Sequence, residues 1–115
     1  MDRATLKRLK DIETAISEIE EFTNRFGRRF DMFCQDMLFF RGVQMNIAIM
    51  GEAMNSILRL HPEISISSAR KIVDTRNYLI HGYDSLSPEI IWNIVINHLP
   101  VLKEEIQNLM KKEQN

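Results

Sequence analysis

Apolar residues return at steps of three and four along most of this chain, the period of helices that bury one face. Leu6, Leu9, Ile12, Ile16, Ile19 and Phe22 form the first stripe and predict a helix from about Arg3 to Thr23. "RFGRRF" interrupts it, with Gly27 placed to end the helix. "FDMFCQD" reads either as a short turn of helix or as a loop. A second long helix is predicted over about Met37 to Leu60, with Phe40, Val43, Ile47, Met50, Met54 and Ile57 as its stripe. Phe39, Met45, Ile49 and Leu58 widen that stripe, so this helix is expected to be central. Pro62 disfavours helix at His61 and stops it.

A short third helix follows over about Ser67 to His81, with Ser67 or Ser65 as N-cap and Gly82 just past its end. Ser87, Pro88 and Glu89 make a start signal for a fourth helix: a capping hydroxyl, a proline in the first turn and an acid beside it. That helix is predicted to reach about Lys111, burying Ile91, Val95, Leu99, Leu102, Ile106 and Leu109. Pro100 lies inside it and should kink or split it. No alternating strand pattern and no repeat appears. The expected architecture is all-α, an antiparallel bundle of four or five helices built as one domain over residues 1–115.

Composition narrows the class. With 44% apolar residues, 4 Gly and 3 Pro in 115 residues, a compact helical core is favoured over disorder. No apolar run approaches the roughly 20 residues that a membrane span needs. The charged start "MDRATLKRLKDIE" does not resemble a signal peptide, and Cys34 is the single cysteine, so a cytoplasmic protein without an intrachain disulfide is expected. A formal net charge of −1 gives no bulk attraction to nucleic acid, so RNA binding would need a local patch or a groove at an interface.

The chemistry-bearing stretch is "RNYLIHGY". Arg76 and His81 stand five residues apart, which in a regular helix means about 140° of rotation and ~7.5 Å of rise. One helix alone therefore does not bring them easily onto one small target. His81 falls in the last turn, where the helix dipole favours a cation, and is a candidate proton shuttle. Its plainest reading is a helix-end residue beside a solvated Arg. His61 reads as a boundary residue and His98 as surface or interface. Cys34 reads as packing rather than as a nucleophile. Arg25, Arg28 and Arg29 form the best local cluster for phosphate contact. No metal-ligand spacing and no glycine-rich phosphate loop is present, so no metal and no cofactor is expected.

"TRNYLIHGY" resembles the R-x-x-x-x-H-x-Y motif of the HEPN superfamily, and specifically its HepT-like toxins. "MNIAIMGEA" is similar to the family's central helix, "LHPEI" to the link before the motif helix, and "IIWNIVINHLPVLKEEI" to its last helix. The resemblance implies a HEPN-like homodimer with the two motifs facing each other. It implies a metal-independent endoribonuclease, the toxin of a toxin–antitoxin pair, whose antitoxin is a minimal nucleotidyltransferase that transfers AMP to Tyr83. It assigns Arg76, Asn77 and His81 to catalysis.

The chemistry suits those residues. His can lose and gain a proton near neutral pH, and Arg can clamp a phosphate with two parallel hydrogen bonds. A two-fold dimer doubles both and answers the 140° offset of a single regular helix. The central helix is apolar over more than one face, with Phe39, Phe40, Met45, Met50 and Met54 around it, so part of it should lie at that two-fold interface. Two rival readings are a non-catalytic nucleotide-binding partner of the nucleotidyltransferase and a structural helical adaptor.

Overall fold

The two longest helices are started by acids. In the computed structural model, which describes residues 1–82 and 87–114, Asp2 caps the first helix, α1 (Arg3–Phe26), by accepting from the Thr5 amide at 3.1 Å. Asp36 caps α3 (Met37–Leu60) in the same way, accepting from the Phe39 amide at 3.0 Å. Gly27 ends α1 with φ 89, and its N–H bonds the Thr23 carbonyl at 2.9 Å. The helix outlasts its expected end at Thr23 because Phe26 stacks on Phe39, ring centroids 5.2 Å apart, which rewards one further turn.

The "FDMFCQD" segment is helical, α2 (Phe30–Gln35). It is held by its aromatic face: Phe33 is fully buried, with its ring 5.4 Å from Phe39 and 5.0 Å from Trp92. Cys34 faces away from this packing and is exposed, which corrects its reading as a packing residue.

Helix α4 (Ala69–Asn77) starts later than Ser67 because Ser67 is engaged elsewhere. Its amide and hydroxyl both donate to Glu105, at 3.1 Å each, so a carboxylate from the last helix holds the residue just ahead of the α4 N-cap. Ser68 takes the N-cap position, but its hydroxyl lies 3.1 Å from His98 Nδ1 rather than over its own helix. His98 is therefore a half-buried tie between elements rather than a free surface group. Beyond Asn77 the chain continues as a π turn, Tyr78–Gly82. The expected capping by Gly82 depends on residues 83–86, outside those described.

Ser87 and Pro88 open α5 (Pro88–Asn93), which passes through a second π turn, Ile94–His98, into α6 (Leu99–Gln114). The Leu99 N–H reaches back to the Ile94 carbonyl, five residues away. This widened turn is how the helix accommodates Pro100, which has no N–H to give and whose ring crowds the preceding turn.

Helix α3 is central, packed between α1 and α4, with α6 against α1. The core it organises contains Leu9, Ile12 and Ile19 of α1, Ile47, Met50 and Ile57 of α3, Ile72 of α4 and Leu102 and Ile106 of α6. The described residues form an all-α bundle, as expected. No helix among the described residues is long and apolar enough to cross a membrane.

Candidate active site

Two glycines set how closely the neighbours of α3 approach it. A Cβ on Gly42 would run into the Phe22 ring of α1. A Cβ on Gly51 would collide with the Arg76 side chain of α4, falling 2.7 Å from its Cγ and 3.1 Å from the Ile72 carbonyl oxygen. The bare backbone at Gly51 is thus a niche that receives the stem of Arg76 and fixes where its guanidinium begins.

From that niche Arg76 NH1 donates to Asn77 Oδ1 at 3.2 Å. Arg76 Nε is buried and has no hydrogen-bond partner among the described residues. Arg76 and Asn77 are neighbours that would ordinarily point apart; the hydrogen bond couples them.

Asn77 also lines an open groove of about 440 Å³, together with Asp74, Tyr78 and His81. Asp74, Asn77, Tyr78 and His81 recur at steps of three, one and three, so they share one side of the helix end. The π turn matters here. Its bonds run to the fifth residue rather than the fourth, so each turn takes up more chain. His81 is accordingly rotated from Arg76 by less than the about 140° of a regular helix. Asn77, Tyr78 and His81 are all exposed. Tyr78, 54% exposed, is an open groove wall despite its position beside Leu79.

The structure therefore brings Asn77 and His81 into one groove and links Arg76 to it through Asn77. Tyr83 lies outside the described residues. The arginines of the α1–α2 turn are not one patch. Arg29 is paired with Asp31, with Nε 3.1 Å and NH2 2.5 Å from the two carboxylate oxygens. That pairing holds the Asp31 carboxyl below the usual carboxylate range. Arg25 lines grooves with Phe22 and Glu18, whereas Arg28 lines another beside Pro100 and Lys103. Among the described residues no three His, Cys, Asp or Glu side chains are grouped as a metal site. The sequence reading missed Asp74 and Gly51 as parts of the site. Asp74 carried a signal, its helical spacing to His81; the packing role of Gly51 had none.

The comparison with known proteins falls on the same elements. The profile of the HepT-like family, described as "Ribonuclease HepT-like", matches residues 12–109. The chain belongs to the HepT-like ribonuclease family. A protein of Thermococcus cleftensis named "Probable ribonuclease HepT" is 34% identical over 115 residues, spanning 96% of this chain and 100% of that protein. A protein of Methanocaldococcus jannaschii, provisionally named as an RNase, is 31% identical over 90% of this chain and 84% of its own length. Another, from Caldanaerobacter subterraneus subsp. tengcongensis, is 26% identical over 90% of this chain and 94% of its own. No solved structure matches the chain. Family membership makes this HepT-like protein a ribonuclease.

Proposed function

We propose that this HepT-like chain acts as one domain and cuts RNA without a metal, in a cleft formed where two copies bring their motifs together. The observation that carries this reading is the Arg76–Asn77–His81 arrangement. A guanidinium is anchored in the Gly51 niche and bonded to an amide, and that amide shares an open groove with an imidazole. His81 takes the proton from a ribose 2′-hydroxyl, or delivers one to the departing 5′-oxygen, with the partner copy's imidazole available for the other step. The 2′-oxygen bonds to phosphorus as the bond from phosphorus to the 5′-oxygen breaks, leaving a cyclic phosphate. Arg76 neutralises the extra charge on the pentavalent phosphorus, and Asn77 orients either His81 or the phosphate. Arg25 and Arg28 remain candidates for contacts with RNA farther along the strand; Arg29 does so only if it leaves Asp31.

In the cell this is the toxin of a cytoplasmic toxin–antitoxin pair. A minimal nucleotidyltransferase silences it by transferring AMP to the Tyr83 hydroxyl, placing an anion where the substrate phosphate belongs. The purified protein should cut single-stranded RNA in the presence of a chelator, and a 2′-deoxy residue at the cut site should block it. His81→Ala and Arg76→Ala should each lower cleavage by about 10²–10³-fold in folded protein. Full cleavage by His81→Ala would sink the assignment. No cleavage by any preparation, with nucleotide binding retained, would favour the binding-subunit reading. Tyr83→Phe should still cut RNA but escape silencing, with no added AMP mass after co-expression with the partner enzyme.

A further inference from the structure

Two of the groove's walls do nothing in the cleavage chemistry. Asp74 is exposed, and among the described residues its carboxylate makes no ion pair or side-chain hydrogen bond. A carboxylate beside groups that must hold a phosphate works against them electrostatically, so a substrate donor facing it would explain its place. Tyr78, next to it in the same groove, presents an aromatic ring that is 54% exposed. In single-stranded RNA the groups beside each phosphate are nucleobases. They are held by stacking on aromatic rings and read by hydrogen bonds along their Watson–Crick edges.

The geometry points to Tyr78 and Asp74 as a nucleobase subsite that selects guanine next to the scissile phosphate. This rests on the ribonuclease reading of the same groove. Ionised carboxylates accept only, and their two oxygens lie side by side. Guanine alone among the four bases offers two adjacent donors on that edge, N1–H and the N2 amino group. Adenine, cytosine and uracil offer one each, and the acceptors beside those single donors would face the negative oxygens. The purine ring also covers more of the Tyr78 face than a pyrimidine does. Asp74 precedes Tyr78 by four residues and His81 by seven. A base stacked on Tyr78 and bonded to Asp74 thus has its phosphate directed toward Asn77 and His81, one turn farther along the helix.

The test compares cleavage of short single-stranded RNAs that differ only in one base beside the cut. A parallel titration uses guanosine, adenosine, cytidine and uridine 3′-monophosphates. Guanine should lead the other bases in kcat/KM by about tenfold to a hundredfold, and guanosine monophosphate should bind most tightly. Asp74→Asn should bring that ratio toward one, since an amide offers one acceptor where the carboxylate offers two. Tyr78→Ala should weaken binding of all four nucleotides, and Tyr78→Phe should restore it. RNA cut with no guanine preference, or a preference that survives Asp74→Asn, overturns the subsite and leaves the nuclease reading standing. An equal loss for all bases, with a displaced pH profile, also overturns it: Asp74 would then act on His81. Guanosine monophosphate preference without RNA cleavage, lost in Asp74→Asn, upholds the subsite and removes the nuclease reading. Neither cleavage nor base preference removes both.

Discussion

An alanine at Gly51 would press its methyl against the Arg76 stem and the Ile72 carbonyl, and a backbone carbonyl yields only if α4 itself moves. Gly51→Ala should cost about 1–3 kcal/mol by overpacking and should lower RNA cleavage, because Arg76 is displaced. Gly42→Ala is its control: it meets the end of the Phe22 ring, a half-buried side chain far from the groove. Both variants should lose stability in urea unfolding, and only Gly51→Ala should lose activity. Equal activity in the two would mean that the niche does not position Arg76. Arg76, Asn77 and His81 could be singled out in the sequence because one short stretch carrying all three resembles the family motif; residue types and spacing alone favoured a plain helix end. The role of Gly51 could not be read there, because it depends on contact with a helix more than twenty residues away.

At the scale of elements, one cluster joins the start of α1 to the end of α3. His61 Nε2 lies 3.0 Å from Asp2 Oδ1 and 3.1 Å from Thr5 Oγ1, so the boundary histidine is also a clasp. The Thr5 hydroxyl, and after it His61, hold the Asp2 carboxyl well below the usual carboxylate range. A carboxyl whose folded pKa is depressed stabilises the fold fully above its unfolded pKa of about 3.9, and loses that contribution as pH falls toward the folded value. Asp2→Asn should therefore be less stable than the parent by a constant amount near neutral pH. The gap should shrink below about pH 4, as urea unfolding at several pH values would show. A gap that stays constant into acid would mean the carboxylate's charge contributes nothing. The sequence placed the long helices well because periodicity is a local signal. The π turns were not legible in it: Pro100 marked a disturbance without saying how the backbone would resolve it, and Tyr78–Gly82 contains no proline at all. The start of α4 was misplaced for a similar reason, since Glu105, which captures Ser67, comes from α6.

For the whole molecule the question is what covers α3. Periodicity showed that this helix is apolar on several faces, but it could not divide them. Of the five bulky residues named on it, Phe39, Met50 and Met54 belong to the core, Phe40 is half-buried and Met45 is exposed. Among the helix's exposed apolar residues are Leu38, Met45 and Ile49, with Met45 65% exposed. These residues recur at helical spacing and form the face a second copy would cover under the proposed shared cleft. Met45→Glu should leave the melting of the monomer nearly unchanged, weaken self-association at least about tenfold, and reduce cleavage in proportion to dimer lost. Sedimentation and activity over a range of protein concentrations would check it. A dilute monomer that cuts RNA at the full rate would contradict the shared cleft.

The fit of Arg76 against Gly51 also has a genetic consequence. If the chain arrests growth, a selection for surviving cells should recover substitutions at Gly51 alongside those at Arg76 and His81, although a glycine offers RNA no side chain to touch. Survivors carrying Gly51→Ala should still make the protein, because a loss of about 1–3 kcal/mol leaves most of it folded while Arg76 is misdirected. Reversion should often come from a second change that restores room on α4, so the two positions should behave as one inherited unit.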